Sequence, residues 1–182
     1  MDKQHENPLG VEPINHLMAR FAIPSIIAML VSALYNMVDQ FFIGHSVGMQ
    51  GNAATNVAFP LTITCTAVSL LFGIGGAANF NLSMGRKKPE EAKHFIGNAI
   101  FLMLSFGITL CLLVFLFLDP LLKLFGATAD ILTYSRTYTS ITAFGFPFVI
   151  LATGGSNLVR ADGSPNFSMA CTLIGCLINL VL

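Results

Sequence analysis

Long apolar runs separated by short polar clusters dominate the chain, and the runs are continuous, without the strict apolar/polar alternation of a half-buried strand. Five of them, at about 20–43, 53–80, 94–118, 131–159 and 166–182, approach or exceed the roughly 20 residues that a helix needs to cross hydrocarbon. A membrane strand would need about ten alternating residues, so helix is favoured throughout. The separators read as turns. Gly44 to Asn52 (GHSVGMQGN) is rich in glycine and polar residues, Asp119-Pro120 disfavours helix before the proline, and Ser164-Pro165 divides the last two runs. The predicted fold class is all-α: a polytopic helical membrane protein with five transmembrane helices. It has a polar segment at residues 1–16 and a transmembrane bundle at 17–182.

Composition supports this reading. Of 182 residues, 54% are hydrophobic and 10% charged, with a mean hydropathy of +0.75, where soluble domains carry roughly 25% charged residues. Nine Lys plus Arg balance nine Asp plus Glu, so net charge argues for no nucleic-acid partner. Placement of the charges says more. Lys3, Arg20, Arg86, Lys87, Lys88, Lys93 and Arg160 fall on one side of the predicted bundle, and Lys123 and Arg136 on the other. By the positive-inside rule the N-terminus is cytoplasmic, in a multi-pass protein of the cell (inner or plasma) membrane. No cleavable signal peptide is evident, because residues 1–16 are polar and the first run is too long for a signal core. An odd number of spans leaves the chain ending outside within an apolar run, which reads as a truncated form.

The remaining motifs have simple readings. Cys65, Cys111, Cys171 and Cys176 form no CxxC or Cys/His spacing and read as small buried apolar residues. Gly73-Ile74-Gly75-Gly76 has neither a preceding strand nor a following P-loop lysine, so it reads as a surface for close helix approach. Pro89 suits a first helical turn, with Glu90 and Glu91 at the positive end of the dipole. His45 and His94 read as solvated loop residues.

Chemistry concentrates at Asp39. An ionised carboxylate in hydrocarbon costs several kcal/mol by most estimates, so it calls for a partner, a wet cavity or a proton. Counted from Phe21, Asp39 lies about 27 Å along the first span, in the outer half of the membrane. Ser25, Ser32, Asn36 and Asp39 share one helix face, with Tyr35 one turn from Asp39. Asn179 of the fifth span reaches the same depth from the opposite direction, as do Tyr134 and Tyr138 of the fourth. A carboxylate, an amide and a phenol at one level can coordinate a small cation or relay a proton. Pro24, Pro60 and Pro147 each remove a backbone donor inside a span and can bend it. No paired acids, His cluster or Ser/His arrangement at one depth points to an enzyme, and no cofactor is implied.

Together, IPSIIAMLVSALYNMVDQFFIG, VAFPLTITCTAVSLLFGIGGAANF, SMGRKKPEEAKHFIGNA and LVRADGSPNFSMACTLIGCLINLVL resemble the N-terminal half of the MATE family, the multidrug and toxic compound extrusion transporters. The resemblance covers the chain from about Asn15. It implies a fold of twelve helices in two six-helix lobes, of which this chain would be an incomplete N-lobe, working by alternating access. It implies export of cationic, amphipathic drugs in exchange for Na⁺ or H⁺, with the C-terminal lobe required as a partner and membrane lipid as the surroundings. By motif match Asp39 and Asn179 belong to the cation site, with any Na⁺ held there. Tyr35, Asn36 and Tyr138 stand in the supporting polar network, and Pro24 is the hinge. Many family members carry a second acid four residues after that asparagine, one residue beyond Leu182. The alternatives are a lipid-linked oligosaccharide flippase of the same superfamily, which needs a strongly cationic cavity, and a non-transporting membrane scaffold.

Cells expressing only these 182 residues are expected to show background drug efflux. Efflux above background that disappears on Asp39→Asn would overturn this expectation.

Overall fold

The computed structural model describes residues 13–181, with side chains through residue 178. Six helices follow one another: α1 (Ile14–Ser46), α2 (Met49–Gly85), α3 (Pro89–Leu116), α4 (Leu118–Leu124), α5 (Ala129–Ala161) and α6 (Pro165–Val181). Helices α1, α2, α3 and α5 are long and apolar enough to cross a membrane, and α6 is a shorter apolar helix. The predicted all-α membrane architecture therefore stands. Of the predicted polar segment 1–16, residues 1–12 lie outside the described residues, and Ile14 to His16 already belong to α1.

Every long helix extends beyond its apolar run, so the turns are shorter than the polar clusters suggested. The nine-residue cluster Gly44 to Asn52 contracts to Val47 and Gly48. Gly48 takes φ 79° and ψ −161°, a conformation open almost only to glycine. His45 lies in the last turn of α1, stacked on Phe41 with ring centroids 6.3 Å apart, and His94 lies inside α3; neither is a loop residue. Asp119-Pro120 does not end the third span. The break is at Phe117, after which Pro120 sits in the first turn of α4, where its missing N–H is no loss. Pro89 occupies the start of α3 with Glu90 and Glu91 in its first turn.

Three turns close with the same hydrogen-bond pattern. Lys88 N–H reaches Ser83 C=O and Lys87 N–H reaches Met84 C=O; Ala127 to Leu122 with Gly126 to Lys123, and Ser164 to Val159 with Gly163 to Arg160, repeat it. This is the Schellman closure, whose pivotal residue sits in the left-handed region. Gly126 (φ 95°) and Gly163 (φ 84°) fill that position in two turns, and Lys87 (φ 59°) in the third.

Helices α2, α3 and α5 pack mutually as the centre of the bundle, while α1 leans chiefly on α6 and touches α2 more lightly. The core contains Leu61 and Cys65 of α2, Ala99, Met103 and Val114 of α3, and Ala143, Phe146 and Ile150 of α5. Without water between helices, apolar burial supplies little drive for association, and close van der Waals packing takes over. The small residues act accordingly. A methyl group added at Gly73 would lie 2.7 Å from Gly154 Cα, and one at Gly107 would lie 2.7 Å from Pro147 Cα. The α2–α5 and α3–α5 backbones are thus nearly in contact at those two crossings. Cys65 is buried in this core, Cys111 and Cys176 are half-buried, and Cys171 is exposed, which corrects the reading of all four as buried.

At the end opposite the Arg86–Lys93 turn, Arg136 Nε donates to Asp119 Oδ1 at 2.8 Å, and its Nη2 pairs with Asp119 Oδ2, bracing α4 against α5. The basic turn carries two helical ion pairs, Lys88–Glu91 at 2.6 Å and Lys93–Glu90 at 2.7 Å.

Gly73→Ala is expected to lower stability by about 1–3 kcal/mol in denaturant unfolding of the detergent-solubilised protein, through overpacking. Gly75→Ala, whose new methyl meets nothing within 4 Å, is expected to be neutral or mildly stabilising. The hydrogen bond from Arg136 holds the Asp119 carboxyl below the usual carboxylate range. The brace therefore contributes fully above the unfolded value near ~3.9 and is lost as pH falls through the lower folded value. The melting-temperature difference between wild type and Asp119→Asn is expected to be flat above about pH 5 and to shrink below it.

Candidate functional site

Asp39 lies on α1, which begins at the same end of the bundle as the basic turn, so the carboxylate falls in the opposite half of its helix. It is half-buried, as is Tyr35 one turn before it. Helix periodicity alone brings those two together. Asp39 lies within electrostatic range of both Tyr35 and Tyr138 of α5, and Tyr35 lies within range of Tyr138 and of Cys176 of α6. Side chains of α1, α5 and α6 thus gather around Tyr35, with two of these helices, α1 and α5, at the carboxylate. Among the described residues, no hydrogen bond or ion pair engages that carboxylate.

The rest of the polar stripe on α1 behaves differently. Ser25 Oγ donates to Phe21 C=O at 2.8 Å, and Asn36 Nδ2 donates to Ser32 C=O at 2.9 Å. Both satisfy themselves within their own helix, the usual habit of hydroxyls and amides in apolar surroundings. Asn36 is exposed and directs its amide along the helix. Tyr134 is 43% exposed and Tyr138 37%, and Tyr138 lies in electrostatic range of Asp39. Pro24 is buried inside an unbroken α1. Asn179 belongs by position to the last turn of α6, and its side chain lies outside the described residues.

Chemically, a half-buried carboxylate with two phenols in electrostatic range can hold a proton or a small desolvated cation. Both remove the cost of the bare charge, which is several kcal/mol in hydrocarbon by most estimates. Beside it, Thr55 Oγ1 of α2 donates to Gln40 Oε1 of α1 at 3.3 Å, a polar tie between helices that otherwise touch lightly.

A family model described as MatE matches residues 24–182. The chain belongs to the MatE family. Among solved structures, the MATE multidrug transporter DinF-BH superposes with a TM-score of 0.88 at 32% identity, over 100% of this chain and 42% of that one. The multidrug export protein MepA of Staphylococcus haemolyticus is 27% identical over 165 residues, 91% of this chain and 36% of that protein. The FAD transporter of Shewanella oneidensis is 25% identical over 170 residues, 93% of this chain and 37% of that protein. The chain therefore spans less than half the length of these relatives, and corresponds to a partial N-terminal half of the MatE fold.

Sequence reasoning passed over two residues of this region, Cys176 beside Tyr35 and Gln40 beside Asp39. Cys176 precedes Asn179 by three positions on α6, a spacing that puts the two on one helix face, yet nothing in its own surroundings separates it from the inert cysteines. Gln40 follows Asp39 directly and points to α2, a contact with no sequence signal because its partner, Thr55, lies beyond the turn.

Proposed function

We propose that this chain is part of a cation-coupled antiporter of the cell membrane that exports amphipathic, cationic compounds by alternating access, with its N-terminus in the cytoplasm. One observation carries the reading: Asp39, an acid inside an apolar helix, lies within electrostatic range of Tyr35 on its own helix and of Tyr138 on α5. Among the described residues it has no ion-pair partner. Such a group changes charge when H⁺ or Na⁺ arrives, and that change biases whichever packing of α1 better hides a neutral site. A ligand shifts a conformational equilibrium only through its differential affinity for the two states. The coupling ion is then the ligand that prefers the sealed arrangement of α1, and the exported compound prefers the other.

In this mechanism Asp39 accepts the ion, and Asn179 supplies a second oxygen to it. Tyr35 and Tyr138 shape the neutral state, Asn36 lies at the edge of the network, and Pro24 allows α1 to bend because its nitrogen donates no backbone hydrogen bond. Full activity requires the second lobe. The cargo is assigned as cationic because MepA is a multidrug export protein and because Asp39 is the only acid of α1. A transport role agrees with the relatives, among them the multidrug export protein MepA and a FAD transporter.

In the full-length protein reconstituted into liposomes, Asp39→Asn is expected to abolish efflux of a cationic dye driven by an H⁺ or Na⁺ gradient, with insertion and melting temperature unchanged. Gradient-driven efflux that survives the substitution would make Asp39 structural. Running the same assay with FAD separates a flavin cargo from a cationic one.

A further inference from the structure

Away from Asp39, α2 and α3 leave an open groove of about 180 Å³ between them. Leu71, Gly75 and Asn79 line it from α2, and Phe95, Asn98 and Leu102 from α3. It is smaller than the roughly 300 Å³ at which drug-sized sites begin, and its walls are almost wholly apolar. Asn79 Nδ2 is satisfied by Gly75 C=O at 2.8 Å. The groove runs along the helices for about 12 Å, from Leu71 to Asn79. Its near end lies about 10 Å from the α2–α3 turn, since Asn79 precedes Arg86 by seven residues and Phe95 follows Lys88 by seven.

That turn carries four cations with two different fates. Lys88 and Lys93 are paired with Glu91 and Glu90. Arg86 and Lys87 are exposed and carry no acidic partner among the described residues. Lys87 also holds the left-handed position of its turn at φ 59°, where the two equivalent turns have Gly126 and Gly163. A side chain there costs on the order of 1–2 kcal/mol relative to glycine, and no side-chain hydrogen bond or ion pair among the described residues offsets it. Backbone strain of this kind is characteristic of ligand-binding positions.

We propose that the α2–α3 groove and the Arg86–Lys87 turn together form a site for one anionic phospholipid of the leaflet next to that turn. The headgroup phosphate meets the two unpaired cations, and one acyl chain lies in the groove. The dimensions agree: a chain hanging from a headgroup at the turn passes first Asn79 and Phe95, then Asn98 and Gly75, and ends near Leu71, about 22 Å from Arg86 along the helix, where a leaflet measured from headgroup to midplane is about 20–22 Å. A soluble anion would use the cations and leave the groove empty, whereas a neutral lipid would use the groove and leave the cations unmatched. The proposal stands apart from the ion-coupling role of Asp39, because α3 has no substantial packing against α1 or α6.

The test is native mass spectrometry of the protein purified from membranes, titrated with phosphatidylglycerol and, separately, phosphatidylcholine. Wild type is expected to retain phosphatidylglycerol preferentially. R86Q/K87Q should weaken that retention about fivefold per charge removed while leaving phosphatidylcholine unchanged. Gly75→Leu, at a position where an added Cβ meets nothing within 4 Å, should fill the groove and weaken both lipids without lowering the melting temperature. Equal retention of the two lipids by wild type, a preference untouched by R86Q/K87Q, or retention untouched by Gly75→Leu would overturn the site. So would cross-linking of a cysteine placed at position 75 to another protein segment in place of a photoactivatable acyl chain.

Discussion

The bundle depends on backbone-to-backbone contact between α2 and α5 at Gly73 and Gly154. Inside a bilayer, lipid tails are as apolar as leucine, so large side chains gain little by turning toward a neighbouring helix. This agrees with the strong exposure of Leu71, Phe101, Phe144 and Phe148, while the core mixes small residues, Cys65, Ala99 and Ala143, with Met103, Val114 and Ile150. Once α2 and α5 lie nearly in contact, α3 can cover both, with Gly107 admitting Pro147 at the second crossing. The proline that could have weakened α5 is thereby held by a partner helix.

The same logic explains why Asp39 stands where it does. Helix α1 has no comparable crossing with the α2–α3–α5 centre and leans on α6 instead. It is therefore the long helix least constrained by packing, and the carboxylate rides on it. An acid fixed inside the dense centre would be a structural burden with no means of responding. On α1 it sits on a helix that shares its main packing with α6 and little with that centre.

Much of this architecture was legible in the sequence because membrane spans announce themselves by length and continuity. The role of the Gly73 region was legible too, since a run of small residues inside a span has few other uses. Asp39 was conspicuous for the opposite reason, a cost with no local compensation. Turn lengths were not legible. Apolarity marks where lipid contact ends, whereas α1 and α2 continue through Gly44 and Asn52 because nothing there breaks a helix before Gly48. Helix α4 escaped because seven residues beside Asp119-Pro120 resemble a loop. The approach of Cys176 to Tyr35 depends on how α6 rotates against α1, which periodicity within one helix does not encode. Tyr35 is recoverable by counting along α1 and Tyr138 by its depth in the fourth span, whereas the proximity of Cys176 to Tyr35 is tertiary.

The junction of α5 and α6 gives that rotation a fixed origin. Ser168, almost fully buried at the start of α6, is bonded to Ser156 Oγ at 2.5 Å and to Arg160 Nε at 3.0 Å, both on α5. Beyond this clasp α6 has few ties to α5 and follows α1. It is anchored at one end by α5 and supported along the rest of its length by α1. The angle at which α6 leaves α5, and with it the place of Cys176 beside Tyr35, is thus set by three polar side chains remote from Asp39.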